Sequence, residues 1–346
     1  MTLRVLLVAD THLGFDLPFR PRIERRRRGH DFFANFERAL EPARQGAVDL
    51  VVHGGDLFFR SKVPPALIGM AMDPLARVAE QGIEVYLVPG NHERSRIPPH
   101  LWAAHPNIHI FDRPRTFLNQ AGDKTIALAG FPFRREIRDQ FSTLVRQTGY
   151  MDAPANLHLL CMHQTVEGAQ VGTNDFTFRR GPDVVRGAEI PRDFSAILSG
   201  HIHRAQVLKH DLATRPLAAP VIYPGAIERT SFAERDEAKG YQIVSFETNE
   251  SRQGSLTEVA FEPLPARPMA SLVIEPEKLR GDSLSDHVRG QLAALAPDAV
   301  VRIQLLGPGS LKARTILSAA HLRALAPPSM NITLAPERAQ FRRPQK

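Results

Sequence analysis

The 346-residue chain has one cysteine, Cys161. A single thiol excludes an intrachain disulfide framework and a thiolate metal cluster, and it suits a reducing cytosol, where the protein is expected to act. Cys161 itself reads as a small buried apolar residue. Long apolar runs are also missing. No stretch approaches the roughly 20 apolar residues that a membrane helix needs. The opening MTLRVLLVADTHLG is short and carries Arg4 and Asp10, so it reads as neither a signal peptide nor a span. Internal repeats and low-complexity tracts are absent. What is there is an apolar fraction of 43%, enough for a packed core. The length suits one large domain with a small one. A net charge of +7 and a pI near 9.9 suit a polyanion partner, although arginine replacing lysine on an ordinary surface gives the same balance. One segment tips it. RPRIERRRR (20–28) sets six arginines against Glu24, and an exposed loop so charged repels itself unless an anion is near.

Apolar, β-branched runs ending in turn residues read as buried parallel strands: LRVLLVA (3–9), VDLVVH (48–53) and IEVYLV (83–88). Between them, DFFANFERALEPARQG (31–46) places Phe32, Phe33, Phe36, Ala39 and Leu40 on one helical face. PALIGMAMDPLARVAEQG (65–82) predicts a second helix, kinked or split at Pro74. Gly46 and Gly82 mark their ends. Further strands are expected at TIALAG (125–130), NLHLLCM (156–162) and FSAILS (194–199), followed by RAQVLKH, APVIYP, GYQIVSFE and LTEVAFEPL, a stretch with less helix and more antiparallel pairing. PLPAR (263–267) is a plausible linker. After it the pattern restarts as strand, helix, strand, helix, strand over about 75 residues.

Five short polar motifs stand just past predicted strands. They are Asp10 and His12 in DTHLG, Asp56 in HGGDLF, Asn91 and His92 in PGNHE, His163 after NLHLLCM, and His201 and His203 in SGHIH. Ligands bind at the carboxyl ends of strands in α/β sheets, because the loops there converge on one crevice. Carboxylate, amide and imidazole donors without sulfur favour manganese, iron, zinc or nickel. Seven ligands exceed the need of one ion. If Asp56 bridges, each of two ions receives four, which leaves room for water and substrate. Gly54, Gly55, Gly90 and Gly200 permit sharp turns beside them. Taken singly, each motif has an ordinary explanation in turn chemistry or a core histidine. Five in order, each after an apolar strand, do not. His30, His100, His105, His109, His158, His210, His287 and His321 lack such a context, and His53, within its strand, reads as a core or supporting residue.

The set D-x-H, G-D, G-N-H, H and G-H-x-H, spanning residues 10 to 203, resembles the calcineurin-like metallophosphoesterase superfamily. A narrower resemblance is to the SbcD-type DNA repair nucleases, which include the meiotic recombination eleven nuclease. It rests on RRRRGHDFFANFERAL, on HGGDLFFRSKVPP, on YPGAIERTSFAE (223–234) and on the unit after residue 268, which has the place and size of a DNA-capping domain. The resemblance implies an α/β fold: a two-sheet αββα sandwich over residues 1–265 with a small C-terminal α+β capping domain over 266–346. It implies one ion on Asp10, His12, Asp56 and His203, and a second on Asp56, Asn91, His163 and His201. His92 would face the scissile phosphate without binding metal. The two divalent ions would be manganese, and the substrate DNA. Arg25, Arg26, Arg27 and Arg28 follow the first metal motif closely and are expected to contact the DNA, the alternative being a solvated loop. Glu93 stands where these nucleases usually carry Asp, which leaves the local hydrogen bonding open.

Two other readings compete. One is a phosphoesterase for a small phosphodiester or a phosphoprotein. The other is a non-catalytic DNA-binding subunit, against which the full set of seven ligands and His92 speaks. The resemblance also implies a homodimer, here with Leu67, Met70, Met72, Ile97, Leu101 and Trp102 as candidate apolar contacts, and an SMC-like ATPase partner of the SbcC type. Only PERAQFRRPQK (336–346) follows the last predicted strand, too little for a helical pair. Association with such an ATPase is therefore expected to be weak or absent, and nuclease activity to need no ATP.

Overall fold

Residues 159 to 162 show how the larger sheets are built. Leu159 and Cys161 point to one apolar cluster, Leu160 and Met162 to another, so the strand Leu157–Met162 is buried on both faces. That is why its sequence is a continuous apolar run and not an alternating one. The computed structural model describes residues 2–17, 25–94, 105–122, 124–249, 252–279, 283–307 and 310–336. It has two compact units, Met1–Asp16 with Gly29–Ala266, and Leu17–Arg28 with Arg267–Lys346.

The first unit holds two six-stranded sheets. In spatial order the first sheet is Arg252–Pro263, Gly240–Asn249, Thr2–Val8, Leu50–His53, Glu84–Leu87 and Ile108–Ile110. Its last four strands are parallel, and Gly240–Asn249 pairs antiparallel with Thr2–Val8. The second sheet is Gln206–His210, Pro216–Tyr223, Ala196–Ser199, Leu157–Met162, Lys124–Gly130 and Arg115–Ala121. Four of its strands are parallel and the two edges antiparallel. Leu3, Val5, Leu7 and Val52 of one sheet pack with Leu159, Cys161 and Leu198 of the other in a shared apolar interior. Phe141, Leu144 and Val145 of the helix Phe141–Gln147 cover the far face of the second sheet. The helix Pro65–Ala79 packs against Glu84–Leu87 of the first sheet. This is the expected α/β sandwich.

Several local expectations change. The first predicted helix is two, Arg28–Ala39 and Glu41–Arg44, with Pro42 in the first turn of the second, where a missing N–H costs nothing. Pro74 does not split Pro65–Ala79, because Leu67, Ala71, Met72, Leu75 and Val78 bury one continuous stripe around it. Leu67 and Met72 thus face the core and only Met70, 45% exposed, remains of the described apolar contacts proposed for a dimer. Ile97, Leu101 and Trp102 lie outside the described residues, as do Arg20, Arg22, Glu24 and residues 337–346. The strands Ile108–Ile110 and Arg115–Ala121 and the helix Phe141–Gln147 were not expected. Among the described residues no helix is long and apolar enough to cross a membrane.

The second unit is a parallel three-stranded sheet, Met269–Ile274, Val300–Leu305 and Asn331–Leu334, in that order. The helix Leu284–Ala293 makes the first crossover. The second is made by Ser310–Ile316 and Ala319–Ala324, which break at Ser318, whose hydroxyl accepts from His321 N. Val288, Leu292, Val301, Ile303 and Leu322 form its core. Arg25 belongs to this unit. Its guanidinium donates to the carbonyls of Arg323 (2.8 Å), Pro327 (2.5 Å) and Met330 (3.0 Å). Arg26 N donates to Pro328 O at 3.2 Å, and Asn331 Nδ2 to Arg26 O at 3.0 Å. Arg25 is therefore a clamp on the turn between the last helix and the last strand. Replacing it by alanine leaves three carbonyls without a charged donor, and we expect Arg25→Ala to destabilise the second unit by about 1–3 kcal/mol. Urea unfolding followed by circular dichroism measures this; an unchanged midpoint would return Arg25 to solvent.

Candidate metal centre

Five strands from both sheets end at one place. Thr2–Val8, Leu50–His53 and Glu84–Leu87 run parallel in the first sheet, and Leu157–Met162 and Ala196–Ser199 in the second, and each motif follows one of them. Past the strands the main chain keeps its register. Asp10 N donates to Gly55 O (2.9 Å), His12 N to Asp56 O (3.0 Å) and Leu13 N to Leu57 O (2.9 Å). To present its side chains inward the backbone turns through the left-handed region at Asp10 (φ 51°), His12 (φ 43°), Asp56 (φ 52°) and His201 (φ 83°). Each such residue costs about 1–3 kcal/mol, and strain of this kind gathers at functional sites. Two glycines have no alternative. A Cβ on Gly90 would lie 2.1 Å from Asp56 Oδ1, and one on Gly200 would lie 2.3 Å from Gly54 O.

All seven expected ligands are brought together. His163 Nδ1 donates to Gly54 O at 2.8 Å, so Nε2 is the nitrogen turned toward the cluster. Around that Nε2 stand Asn91 Oδ1 (3.1 Å), His201 Nδ1 (3.3 Å) and Asp56 Oδ2 (3.4 Å). His12 Nε2 lies 3.0 Å from His203 Nε2, which is 3.9 Å from Asp10 Oδ1. His12 Nδ1 is buried with no hydrogen-bond partner among the described residues. Asp10, His12 and His203 form one group whose donor atoms lie within 4.8 Å of one another, and Asp56, His163 and His201 form another. Carboxylates and imidazoles packed this closely call for positive charge among them, and without a metal the proton on His163 supplies it. Burial alone would lower His163, yet Asp56 and Asp10 raise it to about 9. Burial would likewise raise Asp56, yet His163 and the neighbouring imidazoles hold it far below the usual carboxylate range. Burial, with the charge of His163, pushes His201 down to about 3 and keeps it a neutral donor. The residues fit a divalent metal.

His92 stands at the edge of the cluster. Its Nδ1 faces Phe59 O at 2.7 Å, its main-chain N donates to Asp56 Oδ1 at 2.9 Å, and its Nε2 is 3.9 Å from Asp56 Oδ2. Glu93 is 5% exposed, and its carboxylate accepts from Phe58 N (2.6 Å) and Gly90 N (2.7 Å), strapping the second motif's loop to the third's. Burial and the charge of Asp56 push it up to about 8. His53 is a supporting residue. Its Nδ1 accepts from Gly55 N at 3.3 Å, its Nε2 faces Thr11 Oγ1 at 3.0 Å, and burial lowers it to about 3. Of the arginine run, the Arg25 guanidinium donates to main-chain carbonyls of the second unit, that of Arg26 pairs with Asp298 at 3.9 Å, and Arg28 is buried.

A metal-binding cluster at the strand ends of two face-packed sheets defines a metal-dependent phosphoesterase. The family model described as calcineurin-like phosphoesterase matches residues 3–205, and the chain belongs to that family. It is 29% identical over 310 residues to the DNA double-strand break repair protein Mre11 of Haloferax volcanii, covering 88% of this chain and 62% of that one. It is 26% identical over 281 residues to the Methanopyrus kandleri protein of the same name, covering 75% and 56%. With the uncharacterized metallophosphoesterase YhaO of Bacillus subtilis it shares 29% over 220 residues, covering 61% and 49%. The chain thus spans about half to three fifths of the length of these relatives.

Sequence reasoning missed the support behind His203. Its Nδ1 is 3.4 Å from Glu234 Oε1, which also accepts from Thr230 Oγ1 (2.8 Å) and Ser231 Oγ (3.1 Å). Glu234 Oε2 is 2.8 Å from Lys239 Nζ, and Lys239, buried, donates to His203 O at 2.8 Å. The segment YPGAIERTSFAE carried the signal, but a buried lysine is rare enough that composition points the other way. A carboxylate behind a ligating imidazole fixes its tautomer and raises its basicity. Glu234→Ala should therefore weaken metal affinity by about 10–100-fold. Isothermal titration with manganese tests this, and an affinity within twofold of the parent would remove Glu234 from the centre.

Proposed function

We propose that this phosphoesterase binds two divalent ions, manganese by preference, and hydrolyses phosphodiester bonds in DNA. The observation that carries the metal reading is the convergence of ligand atoms around His163 Nε2 and between His12 and His203, with Asp56 adjoining both groups. Asp10, His12, Asp56 and His203 would hold one ion, and Asp56, Asn91, His163 and His201 the other. Bound there, the ions would supply Lewis-acid stabilisation of the phosphate's charge and lower the pKa of a water. His92 would act on the substrate. With Nδ1 committed to Phe59 O, its Nε2 is the atom left to stabilise charge on the scissile phosphate or to protonate the leaving oxygen. The choice of DNA is supported by the names of the archaeal relatives, which align over most of the chain. The Bacillus subtilis relative supports the coarser reading only.

Linear DNA and bis(p-nitrophenyl) phosphate, assayed side by side, separate the nuclease from a small-substrate phosphoesterase. Asp56→Ala leaves both ions under-coordinated and should lose activity on each substrate, on the order of 10³-fold or more. Chelation should do the same to the parent protein, reversibly with manganese. Full hydrolysis by Asp56→Ala in chelator would falsify the two-metal reading.

His92→Ala should keep its metal and its DNA affinity but lose about 10²–10⁴-fold in kcat. Elemental analysis is the check, because His12, Asp56 and His92 also bring donor atoms within 4.8 Å of one another. A variant that has lost an ion shows His92 to be a ligand.

A further inference from the structure

A sixth strand end opens beside the metal cluster and supplies no ligand. Lys124–Gly130 runs parallel to Leu157–Met162, so the segment that follows, FPFRR (131–135), emerges at the same edge of the second sheet. Phe133 N donates to Pro89 O at 2.8 Å, which ties this segment to the loop bearing Asn91 and His92. The half-buried Phe133 ring lies 5.6 Å from the His201 ring and 6.1 Å from that of His163, centroid to centroid. Here a cavity of about 610 Å³ opens, with Asn91 and His201 in its wall and Arg94, Arg134 and Arg135 around it. Asp183 also lines it and accepts from Glu136 N at 2.7 Å.

The three arginines differ from their neighbours. Arg138 pairs with Glu167 at 3.1 Å, and Arg186 with Glu189 at 2.6 Å and Asp139 at 3.2 Å. Among the described residues, the guanidinium groups of Arg94, Arg134 and Arg135 make no hydrogen bond or ion pair, and all three are exposed. Three unneutralised cations against one carboxylate make this wall of the cavity strongly attractive to anions. The volume is that of a site for an organic ligand and exceeds the need of a lone phosphate. An aromatic ring among arginines is how proteins hold unpaired nucleotides, with the base on the ring and the phosphates on the cations. A duplex keeps its base faces stacked inside and has none to offer.

We propose that this cavity is a subsite for single-stranded polynucleotide: it takes the unpaired nucleotide next to the scissile phosphate, its base against Phe133 and its phosphates on Arg134, Arg135 and Arg94. The inference rests on the phosphodiesterase reading and names the form of its substrate. Phosphate contacts made by arginines appear as salt dependence, with a slope of about 0.7 per contact for a single strand.

The test uses the whole chain and a fluorescein-labelled single-stranded 12-mer, followed by anisotropy over a salt series, with the matching duplex alongside. R134A/R135A should weaken single-strand binding by about tenfold or more and flatten the salt slope by about 1.4, that is two contacts. R134K/R135K should keep most of the slope. Phe133→Leu should lose about tenfold without changing the slope, because stacking is not ionic. An unaltered slope in R134A/R135A, an equal loss on the duplex, or a parent that does not bind the 12-mer overturns the subsite. Cleavage of the same 12-mer with manganese is scored separately. A strand bound in this manner but left intact sinks the nuclease reading and keeps the subsite. A strand cleaved by a parent whose slope ignores the two arginines does the reverse.

Discussion

The molecule is organised around a repulsion. Carboxylate, amide and imidazole groups from five strand ends crowd within 3.0–3.4 Å of one another, an arrangement that only a cation or bound protons among them can balance. In a buried site each unmet polar atom costs about 1–3 kcal/mol, and four left-handed backbone residues add to that. Such a cluster stays together only if its surroundings over-determine it. The main-chain ladder that continues past the first two strands supplies that restraint, and two buried side chains add to it by holding main-chain atoms: the Glu93 carboxylate between Phe58 N and Gly90 N, and Lys239 on His203 O.

The donors divide by sheet. The first sheet brings Asp10, His12, Asp56 and Asn91, a mostly oxygen set. The second brings His163, His201 and His203, all imidazole. Neither sheet alone offers a balanced metal site, so the distances at the centre depend on how the sheets face each other. That spacing is set by the shared interior of Leu3, Val5, Leu7, Leu159, Cys161 and Leu198. Interiors are packed as densely as organic crystals, so a change in volume there shifts neighbouring atoms instead of being absorbed. The lone cysteine lies in that interior, where burial pushes its thiol pKa up and keeps it inert.

The strands and the five motifs were legible because a twice-buried strand is written as an unbroken apolar run, and because turn residues end it where the chemistry begins. Pairings between distant segments were not legible. Nothing in GYQIVSFE says that it lies beside the strand Thr2–Val8. Arg115–Ala121 is an edge strand, half-buried at Phe117, Asn119 and Ala121 and exposed at Leu118 and Gln120, so no continuous apolar run marks it. The supporting residues were hidden for a related reason. Glu234 and Lys239 neutralise each other inside the protein, and a sequence shows two charges without showing that they meet. The arginine run was read as one electrostatic object. The fold treats its members separately, placing Arg25 on three carbonyls, while the unpaired cations beside the metal loops, Arg94, Arg134 and Arg135, lie elsewhere in the sequence.

The second unit is discontinuous, made of Leu17–Arg28 together with Arg267–Lys346. Arg25 and its partner Arg323 are 298 residues apart. At synthesis rates of roughly 5–20 residues per second, the short segment waits about 15–60 s for the carbonyls it will bind. During that interval the first unit can complete its sheets up to residue 266, whereas the small unit cannot begin to close. A ribosome stalled anywhere between would therefore expose a cationic, unpaired segment directly downstream of the first metal motif. The order of assembly is fixed by connectivity, with the larger unit first and the smaller one last.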